Sequence, residues 1–384
     1  MSDYLCFSEQ LTEEEQLVQD TVKDFIDNEV KSLLLEAYEK AVFPMELVSK
    51  ISDLGLFGLT LPTEYGCGGM SSVSYGLACQ ELEAGDSGIR SFVSVQSSLC
   101  MYPIYSFGTD EQKNKYLPEM AKGNIIGCFG LTEPNSGSDP GSMKTYAKKT
   151  DGGWILNGSK LWITNATIAN IAIIWANTDN GIRGFIVPTD TKGFKATELH
   201  YKMSLRASIT GEISLNNVFV NDNHYLPGSD IGLKAPLSCL TQARFGIAWG
   251  AIGAARSCYE TALNYVKERK QFDVPLASKQ LVQKDLVDMY SEICKAMYLN
   301  LHIAKLKDEN KFDHVMVSLI KRNSCKVALK IARDARNMLG ANGISLEYDV
   351  IRHMNNLESV FTYEGTDNIH TLSIGRKLTG ISAF

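Results

Sequence analysis

Residues 128–140 read Cys128-Phe129-Gly130-Leu131-Thr132-Glu133-Pro134-Asn135-Ser136-Gly137-Ser138-Asp139-Pro140. A short apolar run gives way to Gly, Ser, Asn, Asp and Pro, residues that set turns and present backbone N–H groups at close spacing. Such a loop can lie along a planar polar ligand or cradle a phosphate. The chain also changes character here. Downstream, Lys160-Leu161-Trp162-Ile163-Thr164-Asn165 puts an indole and a hydroxyl on the same side of an alternating strand. Near the other end, Tyr363-Glu364-Gly365-Thr366 holds a lone carboxylate in a turn-forming setting.

Upstream of this stretch the pattern is helical. Thr12 and Glu15 have capping-box spacing, and Val18, Val22, Phe25 and Val30 follow a helical period. Further helices are expected at about 45–55, 72–84, 92–107 and 110–121, with a Pro/Gly loop at 61–70. Residues 1–125 therefore read as an α-helical domain. Residues 126–230 read as a β domain, a small barrel or sandwich of about seven strands. Within it Trp154–Ile163 is expected to be a hairpin turning at Asn157-Gly158. Ile171–Ala176 and Gly184–Val187 form two more strands, and Glu212–Leu215 and Val218–Val220 read as two short ones. Helical periodicity returns over 231–384, in long segments at about 235–268, 277–307 and 312–339, and Gly340-Ala341-Asn342-Gly343 stops the last. The fold class is α+β multidomain: helical domain, β domain, helical bundle.

A length of 384 residues fits two or three domains, and 44% apolar with 21% charged residues is globular composition. A net charge of −6 argues against a nucleic-acid binder. The nine cysteines, at 6, 67, 79, 100, 128, 239, 258, 294 and 325, include no Cys-x-x-Cys pair. They read as buried free thiols, with no metal site. Met1-Ser2-Asp3-Tyr4 lacks the basic start of a signal peptide, and no apolar run is long enough for a membrane span. The expected location is the cytoplasm, in preference to a mature organelle form. No Gly-x-Gly-x-x-Gly follows a strand and no P-loop occurs, which disfavours a nicotinamide-binding domain.

The order Phe129-Gly130-Leu131-Thr132-Glu133-Pro134 with Gly137-Ser138-Asp139, then Trp162-Ile163-Thr164, then Tyr363-Glu364-Gly365-Thr366 resembles the acyl-CoA dehydrogenase family over nearly the whole chain. Asp86-Ser87-Gly88-Ile89-Arg90-Ser91, Ser204–Ser208, Ala243–Gly250 and the closing Thr379–Phe384 are similar to its glutaryl-CoA dehydrogenase branch. The resemblance implies FAD between the β domain and the C-terminal helices. Phe129, Leu131 and Thr132 would meet the flavin edge, Trp162 its ring and Thr164 the region near N5. Arg269 and Phe272 would reach the FAD of a neighbouring subunit in a homotetramer. Gly340, Gly343 and Thr366 would approach its diphosphate side.

The same resemblance makes Glu364 the catalytic base that removes the α-proton of an acyl thioester. Other branches carry their base just before the arginine matched by Arg244, and that position here is Ala243. Arg90, with Ser91, would hold the distal carboxylate of glutaryl-CoA. Glu83 and Tyr363 are the polar residues associated with decarboxylation to crotonyl-CoA and CO2. Ser138, Arg244 and Phe245 would touch the CoA moiety, and an electron-transferring flavoprotein would take the electrons. The rival readings are a non-decarboxylating or other short-chain acyl-CoA dehydrogenase and, from another class, a non-redox acyl-CoA-binding scaffold.

Overall fold

The structure, a computed structural model, describes residue 1 and residues 3–383. Ser2 and Phe384, the latter closing the stretch Thr379–Phe384 read above, lie outside it. The chain opens on the expected capping box: Glu15 N donates to Thr12 Oγ1 at 3.2 Å and Thr12 N donates to Glu15 Oε2 at 2.9 Å. Helix α1 (Glu13–Phe25) passes through a π-helical segment, Ile26–Val30, into α2 (Lys31–Lys40), and α3 (Leu47–Asp53) follows. Helix α4 (Ser72–Gly85) is buried on almost every side. Helix α5 (Ser87–Ser94) runs through a second π segment, Val95–Met101, into α6 (Tyr102–Phe107) and then α7 (Asp110–Ala121).

Seven strands follow: β1 (Gly127–Gly130), β2 (Tyr146–Thr150), β3 (Gly153–Thr164), β4 (Ile171–Thr178), β5 (Gly181–Pro188), β6 (Phe194–Glu198) and β7 (Thr210–Asn221). They form one curled sheet in the order β1-β4-β2-β3-β7-β6, with β5 on the other edge of β4. Strand β4 is buried on both faces, which is why it reads as a continuous apolar run. Alternation sends Ile171, Ile173 and Trp175 to the core shared with the helices, and Ala172, Ile174 and Ala176 to the sheet's own core.

The expected hairpin at Asn157-Gly158 does not exist. Strand β3 runs straight through it for 12 residues, and the two short strands read at 212–220 are likewise the single strand β7. The ladder slips between Leu156 and Gly158, where Asn157 Oδ1 accepts from Asn217 N at 2.8 Å. A Cβ on Gly158 would overlap Thr145, and its φ is +145°, so the glycine serves a close approach inside a bulge and no turn.

The C-terminal helices are α8 (Lys234–Glu268), α9 (Gln280–Asp308), α10 (His314–Met338), α11 (Asp349–Thr362) and α12 (Asp367–Thr379), with a small hairpin of β8 (Lys270–Gln271) and β9 (Val274–Pro275) after α8. The sequence reading left α11 and α12 unassigned. Helix α8 packs on α4 along Gly246, Gly250 and Gly253. A Cβ at these positions would run into Tyr75, Glu83 and the Gln80 carbonyl in turn. Bare backbone thus lets the two helices approach, and Gly250 makes room for the Glu83 carboxylate. Among the described residues no helix is long and apolar enough to cross a membrane, and no group of His, Cys, Asp and Glu could hold a metal ion.

Candidate active site

Helices α11 and α12 are joined by Tyr363-Glu364-Gly365-Thr366. Tyr363 caps the first, and the Thr366 hydroxyl caps the second by accepting from Ile369 N at 3.3 Å. The two residues between have positive φ, +55° at Glu364 and +89° at Gly365. Glycine takes that conformation freely, whereas at glutamate it costs about 1 kcal/mol or more and persists only where the surroundings enforce it. Here they do. Arg244 Nε, from α8, donates to the Glu364 carbonyl at 2.7 Å. Lys321 Nζ, from α10, donates to the carbonyls of Phe361, Tyr363 and Gly365 at 3.4, 2.8 and 2.9 Å.

The Glu364 side chain is half-buried, and its Oε2 is sealed from solvent with no hydrogen-bond partner. Burial pushes the carboxyl up to about 7, against the opposing pull of the Arg244, Lys321 and Arg90 cations. His370, on α12, also carries a buried ring nitrogen without a partner. Burial first, then the Lys321 and Arg244 charges, hold its pKa down at about 3, so the ring is neutral.

Arg90 closes the far side. Asp86 caps α5 by accepting from Gly88 N at 2.6 Å, as the turn-like Asp86-Ser87-Gly88 suggests, and Arg90 follows in the first turn at 1% exposure. Its Nε donates to Glu83 Oε2 at 2.6 Å and its Nη2 to the Tyr363 hydroxyl, while Ser87 Oγ donates to Glu83 Oε1 at 2.8 Å. Burial works against the guanidinium charge, and the Glu83 carboxylate more than restores it. Tyr363 therefore links the Arg90 end of the site to the Glu364 loop. Ser91 is buried beside Arg90.

On the β side, Trp162 sits in a second bulge of β3, between Lys160 and Ile163, with φ +63°. The extra residue keeps Lys160 and Ile163 both inside and leaves the indole 60% exposed. Thr164 is partly open two residues on. The adjoining loop is held by the interior: Leu161 N donates to the Thr132 carbonyl at 3.0 Å, and buried Lys160 Nζ to the Leu131 carbonyl at 3.0 Å and Glu133 Oε1 at 2.8 Å. Phe129 and Leu131 are buried under it, and Thr132 is partly open. Burial lowers Lys160 to about 8, with Glu133 opposing. An exposed indole plate beside a rigid loop fits a planar ring system such as a flavin.

The remaining expected residues lie elsewhere. Arg269 ends α8 some 25 residues beyond Arg244, which at helical rise is ~37 Å along the axis. Phe272 stands 88% exposed at the tip of the β8–β9 hairpin. Gly340–Gly343 lies near that same end, where Asn342 Nδ2 donates to the Tyr265 hydroxyl at 3.1 Å. Ser138 is exposed on its loop, and Phe245 is wholly buried against Tyr75 and Trp249. The sequence reading missed Lys321, His370 and the Lys160–Glu133 pair. The last two residues stand inside quoted motifs, but nothing in the local pattern marks them as paired.

This three-part fold, with a carboxylate loop beside a buried arginine, is that of the acyl-CoA dehydrogenase family, to which the chain belongs. Models of the N-terminal, middle and C-terminal domains of acyl-CoA dehydrogenases match residues 12–124, 128–218 and 230–379. The chain is an FAD enzyme and an acyl-CoA dehydrogenase. A solved glutaryl-CoA dehydrogenase from Mycobacterium smegmatis is 53% identical, with 100% of this chain and 98% of that one covered at a TM-score of 0.98. A second structure, of a glutaryl-CoA dehydrogenase from Mycobacterium smegmatis in complex with FADH2, is 51% identical over 99% and 98% of the two chains, TM-score 0.97. A probable acyl-CoA dehydrogenase, YngJ, of Bacillus subtilis (strain 168) is 38% identical over 96% of this chain and 99% of its own.

Proposed function

We propose that the substrate is glutaryl-CoA and that the chain converts it to crotonyl-CoA and CO2. The observation that carries this reading is a fully buried arginine, Arg90, joined through Tyr363 to the loop of the candidate base. Glu83 already balances the Arg90 charge, but a monocarboxylic acyl chain would leave the remaining guanidinium donors buried with nothing to bind. A distal carboxylate would engage them. Two of the five guanidinium N–H donors are committed, to Glu83 and Tyr363, and the fork shape suits a carboxylate.

Glu364 removes the α-proton. Its pKa near 7 leaves it largely ionised just above neutrality yet basic enough to take a proton from carbon. Its sealed Oε2 has no protein partner to compete with substrate. Trp162, Thr164 and the 129–132 loop would hold FAD, which when bound would supply the acceptor for the hydride leaving the β-carbon. The γ-carboxylate of the resulting glutaconyl thioester then departs as CO2, leaving a dienolate conjugated to the thioester. Loss of a carboxylate would strand the buried Arg90 charge, and Glu83 stays behind as its counter-ion. Glu364, now protonated, returns the proton to the γ-carbon to give crotonyl-CoA. Ser138 and Arg244 take the CoA side in this reading, and Phe245, wholly buried against Tyr75 and Trp249, would only pack behind them.

Electron-transferring flavoprotein as acceptor, a role in lysine and tryptophan degradation, a cytoplasmic location and a homotetramer complete the proposal. The domain limits 1–125, 126–230 and 231–384 belong to it as well. The tetramer is supported by the ~37 Å between Arg244 and Arg269: Arg269, just past the end of α8, and Phe272, in the hairpin after it, lie far from their own base and could reach another subunit's cofactor.

The test is mass analysis of the CoA products after turnover with an artificial acceptor, for wild type and Arg90→Gln. Crotonyl-CoA from wild type and a KM for glutaryl-CoA raised roughly 100-fold in the variant, as for loss of a buried charge-assisted pair, are expected. Glutaconyl-CoA as sole product would remove decarboxylation from the reading. Equal KM values would remove the dicarboxylate.

A further inference from the structure

We propose that Lys321 is a positioning residue for the Glu364 base: its ammonium clamps the strained loop and fixes where the carboxylate stands. The inference rests on the assignment of Glu364 as base and deepens it.

Lys321 lies about two turns into α10 at 1% exposure. A lysine ammonium has three donors and no acceptor, and this one meets three carbonyl oxygens, those of Phe361, Tyr363 and Gly365. Phe361 belongs to the last turn of α11, so the cation also meets the negative end of that helix. The other two carbonyls flank Glu364 on either side. Peptide units on both sides of the base are thereby tied to one rigid helix, while Arg244 holds the carbonyl of Glu364 itself from α8. A φ of +55° at a glutamate is a conformation that needs such enforcement. Nothing else in the site explains why a cation should be buried behind the loop: no carboxylate forms an ion pair with Lys321 among the described residues.

The charge acts on the base as well as the donors. The groups facing Glu364 are Arg244 and the Cys239 thiol from α8, Lys321 from α10, Arg90 from α5, His370 from α12 and Tyr363 from its own loop. Those facing Lys321 are Cys325, Arg244, Glu364 and Asp367. The three cations favour the ionised carboxylate and burial disfavours it. Removing one cation therefore raises the base's pKa and moves the acid limb of the rate profile to higher pH.

The experiment compares wild-type holoenzyme with Lys321→Met, Lys321→Gln, Lys321→Arg and Glu364→Gln. In each, kcat/KM is followed against pH, flavin content by visible absorbance, and Tm against pH. The glutamine variant keeps a donor for the carbonyls without the charge, and stands in if the methionine variant does not fold. The expected result is an acid limb displaced upward from about 7 by roughly one unit in Met and Gln, the low end of the effect of a nearby charge. At pH 7 that is a loss of about fivefold in kcat/KM, approaching tenfold only well below pH 7, with flavin content unchanged and the limb restored toward wild type in Arg. Independently of turnover, the pH at which Tm stops falling shifts upward with the limb. Profiles of Met and Gln that superimpose on wild type, with loss confined to Tm, would overturn the proposal. Turnover retained by Glu364→Gln would instead overturn the base assignment on which it stands.

Discussion

At the scale of single residues, the decisive conflict is at Glu364. A carboxyl pushed up to about 7 by burial is good for proton abstraction and bad for folding. In the unfolded chain it titrates near 4.3. Between those values the folded form binds more protons than the unfolded one, so stability falls as pH rises through the window from about 4.3 to 7 and stays low above it. Glu364→Gln removes the titration. The variant should lose turnover by several orders of magnitude and gain stability above pH 7, up to about 4 kcal/mol for a fully expressed shift. Paired melting curves should show the gain at pH 8 and no gain at pH 4; equal Tm values at both would contradict the raised pKa. Glu364 and Arg90 stood out in the sequence only through the family resemblance, since a Glu-Gly turn and an arginine at a helix start are by themselves ordinary surface features. Lys321 did not stand out at all. On an amphipathic helix a buried lysine looks like a solvated one, and only the arrival of three carbonyls from 40 residues downstream distinguishes it.

Among the elements, the helix pair α4 and α8 sets the site, because Glu83 on one nests against Gly250 on the other. Gly253 is the tightest position: a Cβ there would overlap the Gln80 carbonyl, which is backbone and cannot swing away. Gly253→Ala should cost roughly 3 kcal/mol in urea denaturation, the upper range of overpacking. Gly375→Ala is the control, since its Cβ would meet nothing within 4 Å in α12, and the helical preference for alanine should stabilise it by ~0.5–1 kcal/mol. Elements were legible where the pattern is long or plainly apolar, as in the 35-residue α8 and the continuous apolar run of β4. They were misread where a dipeptide outweighed the strand around it. Asn157-Gly158 carries the strongest short hairpin signal, yet the glycine is there to admit Thr145, a neighbour invisible in the local sequence. Strand β1 was hidden for a related reason: at four residues it is too short to show alternation, and parallel pairing with β4 defines it.

For the molecule as a whole, the change from helix to sheet to helix was legible from the sequence pattern, because the periods differ and turn residues mark both junctions. What a single chain's pattern could not show is how distant segments serve one site. Glu364 and Arg90, brought together here, come from opposite ends of the chain, and Arg269 lies just past the C-terminal end of α8, about 25 residues from Arg244. If Arg269 completes a neighbouring subunit's cofactor site, Arg269→Gln should weaken FAD retention about tenfold or more, the worth of a charge-assisted contact. Release of flavin fluorescence on dilution measures this. The acid limb near 7 should stay in place in the flavin-loaded fraction, because the mutated side chain is far from the base.

The thiols described above have a consequence of another kind. Eight of the nine cysteines are buried, spread over α4, the second π segment, β1, α8, α9, α10 and the loop at residue 67, and only Cys6 is exposed. Burial raises their pKa values and keeps them unreactive as long as the surrounding packing holds. Each one is therefore a built-in reporter of local opening. The order in which the eight become alkylated maps which parts of the fold breathe first, without a single label being engineered in.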